Sequence, residues 1–174
     1  MRRTVCLACC LALPAAAQVH EHGAATLAVA VDRGTITIAL ESPLESLVGF
    51  EHAPRNERQR AALRAMEASL RAGDRLFKPT AAAACTERGV EVEHPYAHGA
   101  DGRTDGKDGH DKEEHHAEAR ATWTFVCANP QALRELDVLL FDAFPGVKRI
   151  RAQTATPRGQ GAVMLTPKAR RLPL

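Results

Sequence analysis

The residue types with the clearest chemistry lie in one short segment, residues 94–118, which reads HPYAHGADGRTDGKDGHDKEEHHAE. It holds five of the eight histidines of the chain, and its seven acidic and three basic residues give it a net charge of −4. Imidazole and carboxylate groups bind borderline divalent cations such as zinc in water. The composition therefore predicts a metal-binding segment, and the alternative is a solvated acidic loop whose histidines are incidental.

The candidate ligands of this segment are its histidines and three of the acids that lie among the later ones. They are His94, His98, His110, His115, His116, Asp108, Asp111 and Glu114. Four glycines interrupt the segment and apolar side chains are nearly absent, so we expect a disordered loop that becomes ordered only on binding. Such a loop is expected to bind several ions with modest affinity and to release them in mild acid, because protons compete for imidazole.

A second histidine pair, His20 and His22, lies near the N-terminus in the sequence HEH. Two residues apart on an extended strand, both imidazoles point to the same side, and a third ligand from elsewhere would complete a more rigid metal site. The alternative is a polar N-terminal arm. If the mature chain begins at Gln18, its free amine, two backbone amides and His20 could also form a square-planar site for Cu(II) or Ni(II).

A further histidine lies in the sequence GFEHAP, where Glu51 and His52 separate an apolar segment from a helix. Both side chains could bind a metal, or they could form a structural hydrogen-bonding pair. For His52, which lies two residues after a phenylalanine expected to be packed, the structural interpretation is favoured over the metal-ligand one.

The N-terminus has the pattern of a secretory signal peptide. Arg2 and Arg3 precede a short apolar stretch, and an A-x-A cleavage pattern at residues 15–17 predicts that the mature domain spans residues 18–174. Lipid attachment at Cys9 or Cys10 is an alternative. The formal net charge of +2 includes both leader arginines, so the mature chain is nearly neutral, and nothing indicates nucleic-acid binding. No later apolar run is long enough to span a membrane.

Two cysteines, Cys85 and Cys127, remain after removal of the leader. An even pair in an exported protein predicts one disulfide bond. Closing a loop of roughly forty residues would stabilise the fold by about 4 kcal/mol in the chain-entropy model. Zinc thiolates are the alternative, but they would have to remain reduced outside the cytosol.

Alternating apolar residues predict a β-hairpin in residues 26–40, with a turn at 32–34. A short helical turn is expected in residues 44–50. Asn56 and Gln59 then form a capping-box pattern for a helix that ends near Gly73.

Two strands, residues 85–93 and 119–127, flank the histidine-rich segment. The simplest arrangement is an antiparallel hairpin with that segment at its tip, the disulfide near its base and a possible bulge at Gly89. Pro130 begins a short helix or turn, residues 136–144 fit a strand or a helix, and two strands follow in residues 147–154 and 162–165. Residues 168–174 read as a frayed basic tail. The sum is a single α+β domain with a mainly antiparallel or mixed sheet and one main helix.

Sequence signatures of enzymes are missing. The chain has no GxSxG, HExxH, phosphate-binding loop or dinucleotide fingerprint, and no free cysteine nucleophile is expected in the mature chain. We therefore predict a protein that is not an enzyme.

Nearly all of the mature chain resembles one bacterial family. The specific features are HEHG at residue 20, GFEHAP at residue 49, the paired cysteines around a His-rich insert, WTFVC ending at Cys127, and LLFDAFPGVKRIRAQTATPRGQGAVML. These are similar to the zinc-regulated ZrgA-like proteins, which are periplasmic accessory proteins of zinc uptake. The resemblance implies a periplasmic protein that binds zinc, supports import through an inner-membrane ABC-type transporter and catalyses no reaction.

The expected function is capture of zinc by the His-rich segment and delivery to components of that importer. The alternative is a periplasmic metal buffer or chaperone that protects against excess copper, nickel or zinc. A third possibility is an envelope domain whose His-rich loop is incidental.

Overall fold

The computed structural model describes residues 22–97 and 117–174. The described strands are β1 (Ala24–Asp32), β2 (Thr35–Pro43), β3 (Phe77–Pro79), β4 (Cys85–Glu93), β5 (Glu118–Cys127), β6 (Glu135–Val138), β7 (Arg149–Thr156), β8 (Gly159–Leu165) and β9 (Arg171–Pro173). The described helices are α1 (Leu44–Val48), α2 (Glu57–Leu70), α3 (Gly73–Leu76) and α4 (Leu140–Ala143). The predicted signal peptide lies outside the described residues.

The predicted N-terminal hairpin is confirmed as β1 and β2. A two-residue turn joins the strands, and both of its residues have positive φ, 46° at Arg33 and 85° at Gly34. This conformation matches the right-handed twist of paired strands. Along β1, Leu27 and Val29 are buried while Ala28 and Ala30 are exposed, so the period-two pattern places one face of the sheet on the core.

Six strands form the larger sheet in the order β4-β5-β2-β1-β7-β8. Neighbouring strands are antiparallel except for β1 and β7, which are parallel, so the predicted mixed α+β architecture is confirmed. A second, three-stranded sheet has the order β3-β6-β9. Its buried residues and those of the helices pack with the inner face of the larger sheet in one hydrophobic core.

The outer hairpin is confirmed as β4 paired with β5, with a register shift between Glu87 and Gly89. Cys85 and Cys127 face each other at its base and form the predicted disulfide, with sulfur atoms 2.04 Å apart. Residues 94–118 were predicted to form a disordered loop, and residues 98–116 of this segment lie outside the described residues.

The main helix, α2, begins as predicted. Asn56 Oδ1 accepts a hydrogen bond from the Gln59 N–H at 3.0 Å, and Gln59 Oε1 accepts one from the Arg55 N–H at 2.7 Å. On the exposed side, hydrogen bonds from Arg64 and Arg60 lower the pKa of Glu57. The inner side buries Leu63, Met66 and Leu70.

The prediction that Gly73 caps the C-terminus of this helix is wrong. Arg71 caps α2, and Gly73 begins α3. A glycine is required there for a packing reason, because a Cβ atom on Gly73 would lie 2.3 Å from Cδ1 of Trp123.

Two further segments differ from the sequence expectation. The ambiguous residues 136–144 contain both a strand, β6, and a helix, α4. The prediction of a frayed basic tail is wrong, because Arg171–Pro173 forms β9 against β6 and buries Leu172. Arg158 also hydrogen-bonds to the backbone oxygens of Leu133 and Leu174.

Candidate metal centre

One imidazole and two carboxylates converge at the edge of the fold where β1 begins. His22 lies just before β1, Glu45 lies in the first turn of α1, and Glu51 lies in the segment that joins α1 to α2. Each offers one ligand atom, and these three atoms lie within 4.8 Å of one another. His22 Nδ1 contacts Glu45 Oε2 directly.

Close backbone packing brings His22 to α1. The Gly23 N–H donates to Ser46 Oγ at 3.1 Å, and the Gly23 carbonyl accepts from the Lys148 N–H at 2.7 Å. Gly23 has φ of 75°, a conformation that disfavours a side chain. Gly146 lets its turn approach α1, since a Cβ there would lie 2.2 Å from the Ser46 carbonyl oxygen.

Glu51 is positioned by the turn that ends α1. Gly49 caps this helix in the left-handed conformation, and its N–H donates to the Glu45 carbonyl at 2.8 Å. Glu51 follows two residues later, and one of its carboxylate oxygens lies within 4.8 Å of the Glu45 ligand atom. The carbonyl of Glu51 accepts a hydrogen bond of 2.7 Å from the Tyr96 hydroxyl.

The donor set is suited to zinc. Zinc sites that keep an exchangeable position commonly use three N or O ligands, with about 3.4 Å between ligand atoms in a tetrahedron. The ligand atoms of His22, Glu45 and Glu51 lie within 4.8 Å of one another, and the contact between His22 and Glu45 is shorter than the tetrahedral spacing. Small side-chain rotations would therefore have to separate His22 from Glu45 and bring any more distant pair closer together. The side chains of His22 and Glu45 are 74% and 43% exposed, so an ion has direct access.

His94 is buried and hydrogen-bonded, whereas a histidine that is available to bind a metal ion would be accessible to solvent. Its side chain is 1% exposed, and its Nε2 lies 2.6 Å from Glu67 Oε1. Its Nδ1 accepts a hydrogen bond of 3.2 Å from the Tyr96 N–H. Because Nδ1 accepts, the ring proton is on Nε2, which donates to Glu67.

His52 does not join the described cluster. Its ring stacks on Phe50 with centroids 5.4 Å apart, and its Nδ1 lies 2.8 Å from the Ala53 carbonyl. These contacts agree with the structural interpretation of this histidine.

The remaining predicted ligands lie outside the described residues, so their roles stay predictions. They are His20, His98, His110, His115, His116, Asp108, Asp111 and Glu114. All of these except His20 lie in residues 98–116, and the described residues on either side of that range lie beside the cluster. Tyr96 contacts Glu51, and the carbonyl of Ala117 accepts a hydrogen bond of 2.8 Å from the Leu44 N–H.

Comparison with known protein families gives an independent result. The model of the ZrgA family of zinc uptake proteins matches residues 19–174. The chain belongs to the ZrgA family. The comparison with curated proteins found no match.

In this ZrgA-family chain, sequence reasoning missed Glu45 as a potential ligand. An acidic residue in the first turn of a helix is ordinarily explained by the helix dipole, so nothing in the local sequence marks it. Glu51 was a candidate because a histidine follows it. In the described ranges, none of the helices of this family member has the length and apolar character needed to cross a bilayer.

Proposed function

We propose that this chain captures zinc in the periplasm and supports its delivery to an inner-membrane ABC-type importer. The observation that carries the proposal is the cluster of His22, Glu45 and Glu51 beside both ends of the His-rich segment. Membership of a zinc uptake family agrees with zinc as the ion that is carried.

The position of the His-rich segment supports a joint role with the cluster. Two described residues of this segment contact the cluster region: the Tyr96 hydroxyl donates to the Glu51 carbonyl, and the Ala117 carbonyl accepts a hydrogen bond from Leu44, the residue before Glu45. Histidines close in sequence to these points are therefore tethered near the cluster, and tethering raises their effective concentration there.

The two parts would have different tasks. We infer that His98, His110, His115 and His116, with the acids among them, collect ions at modest affinity, as expected for a segment of this composition. The cluster is held by a folded scaffold, which lowers the entropic cost of binding. Its open coordination position would allow exchange with a transporter component.

Zinc titration calorimetry of three variants tests this proposal. Deleting residues 98–116 is expected to lower the number of ions bound, and His22→Ala is expected to weaken a remaining site at least about tenfold. His52→Ala is the matched control, since this histidine stacks on Phe50 and lies outside the cluster. Unchanged stoichiometry and affinity in both the deletion and His22→Ala would contradict the proposal.

Delivery has a separate test. Zinc-loaded protein is expected to transfer its ion to the periplasmic binding component of the importer faster than a small-molecule chelate of equal affinity does. Expression raised by zinc starvation would agree with uptake, whereas expression raised by excess copper, nickel or zinc would favour a protective buffer.

A further inference from the structure

We propose that Tyr96 is a positioning residue for the metal centre, and that buried His94 acts as the support that fixes Tyr96. This inference rests on the proposed binding of zinc by His22, Glu45 and Glu51. It assigns His94, at the start of the His-rich segment, to the scaffold of the site instead of its ligand set.

The contact between Tyr96 and Glu51 is made to the backbone of Glu51. The phenol hydroxyl donates to the backbone carbonyl of Glu51 at 2.7 Å, so it does not occupy the carboxylate. Glu51 lies in the connection between α1 and α2 and belongs to neither a helix nor a strand. The hydrogen bond from the Tyr96 hydroxyl therefore helps to set the position of Glu51 relative to His22 and Glu45.

Tyr96 is itself fixed through His94. The Tyr96 N–H donates to His94 Nδ1 at 3.2 Å, and His94 Nε2 donates to Glu67 Oε1 at 2.6 Å on helix α2. Both ring nitrogens of this imidazole are engaged, and the side chain is almost fully buried. Binding a metal through either nitrogen would break one of these hydrogen bonds and require His94 to leave its site.

A continuous chain of contacts thus runs from Glu67 through His94 and Tyr96 to Glu51. Residues that orient metal ligands from outside the coordination sphere typically change metal affinity by 10–100-fold when they are removed. The contribution expected here is at the lower end, because the contact acts on the backbone of a ligand.

The test uses the full mature chain in which His98, His110, His115 and His116 are all changed to Asn, so that zinc binding reports the cluster. In this background, Tyr96→Phe is expected to weaken zinc about tenfold in chelator competition and to change the visible absorption spectrum of bound Co²⁺. His94→Ala is expected to produce the same direction of change. If this variant does not fold, Tyr96→Phe decides alone, since it removes one oxygen atom and keeps the ring.

Thr80→Val is the matched control. The Thr80 hydroxyl also donates to a backbone carbonyl, that of Glu135 at 3.2 Å, but this bond joins the end of β3 to β6, and neither strand carries a residue of the cluster. This variant is expected to lose stability while zinc affinity and the Co²⁺ spectrum stay unchanged.

Two results would overturn the inference: one contradicts only the positioning role of Tyr96, and the other also contradicts the proposed metal site. If His22→Ala weakens zinc but Tyr96→Phe changes neither affinity nor the Co²⁺ spectrum, the positioning role is wrong and the proposed site survives. If His22→Ala also leaves zinc affinity unchanged in this background, the proposed site is wrong and the inference fails with it.

Discussion

The indole ring of Trp123 fills the space that a side chain on Gly73 would need, with Cδ1 only 2.3 Å from the position of that missing Cβ. Trp123 is fully buried, its Nε1–H donates to the Leu70 carbonyl at 2.7 Å, and its ring packs edge-on against Phe77. The junction between α2 and α3 is therefore fitted to the largest side chain of the core.

We expect Gly73→Ala to lower the free energy of unfolding by about 1–3 kcal/mol, because either the indole or the backbone must move. Urea denaturation followed by tryptophan fluorescence measures this change. Gly89→Ala is the matched control, since a Cβ atom on Gly89 would meet nothing within 4 Å. The free energy of unfolding of this variant is expected to differ from that of the wild type by less than about 0.5 kcal/mol. Equal stability of the two variants would contradict the packing argument.

The C-terminal strand β9 is expected to be part of the folded core. Leu172→Ala should lower the free energy of unfolding by about 2–4 kcal/mol, because the side chain is 1% exposed. Lys168→Ala, at an exposed position nearby, should have almost no effect. Thermal denaturation of both variants provides the measurement, and a stable Leu172→Ala protein would mean that the tail is dispensable.

The disulfide is expected to support the fold without taking part in zinc binding. The double variant Cys85→Ser and Cys127→Ser should be less stable by about 4 kcal/mol, because the bond closes a loop with a sequence separation of 42 residues. Its zinc affinity at low temperature, where it remains folded, should equal that of the wild type. Loss of zinc binding in the folded variant would instead favour thiolate ligands.

Tyr96 should ionise at a higher pH than free tyrosine does. Burial raises its pKa first, and the negative charge of Glu51 adds to the effect. The chain has a single tyrosine, so the near-ultraviolet absorbance of phenolate reports this residue alone. Because the unfolded chain loses this proton at about pH 10, stability should fall as pH rises above that value and through the higher folded-state pKa.

Glu51→Gln separates the two causes. It should lower the pKa of Tyr96 only part of the way, because burial is the larger cause and remains. Glu41→Gln, on strand β2, serves as the charge-matched control and should leave the titration unchanged. A full return to the value of free tyrosine in Glu51→Gln would show that the carboxylate charge dominates.

Local patterns predicted much of the fold because their causes are local. The turn at Arg33 and Gly34, the cap at Asn56 and the alternation along β1 each depend on residues a few positions apart. The C-terminal strand β9 was missed for two reasons. Its partner, β6, lies more than thirty residues earlier in the sequence, and the basic residues around β9 conceal the alternation of Leu172 and Leu174.

The candidate site was only partly predictable for the same reason. His22 could be recognised from its spacing to another histidine, whereas Glu45 becomes a potential ligand only through the packing of Gly23 and Gly146 against Ser46. The histidine count identified His94 as a ligand candidate, but composition cannot distinguish a solvated imidazole from one buried against Glu67.

The register of the outer hairpin has a consequence for how such proteins can diversify. Glu93 on β4 pairs with Arg120 on β5, and the Ala117 carbonyl accepts a hydrogen bond from the Leu44 N–H, so described backbone contacts fix both ends of the connection between the strands. Lengthening a connection between such fixed ends costs little free energy. Under the proposed function, the number of ions that the protein binds could therefore change in evolution while the paired strands stay the same.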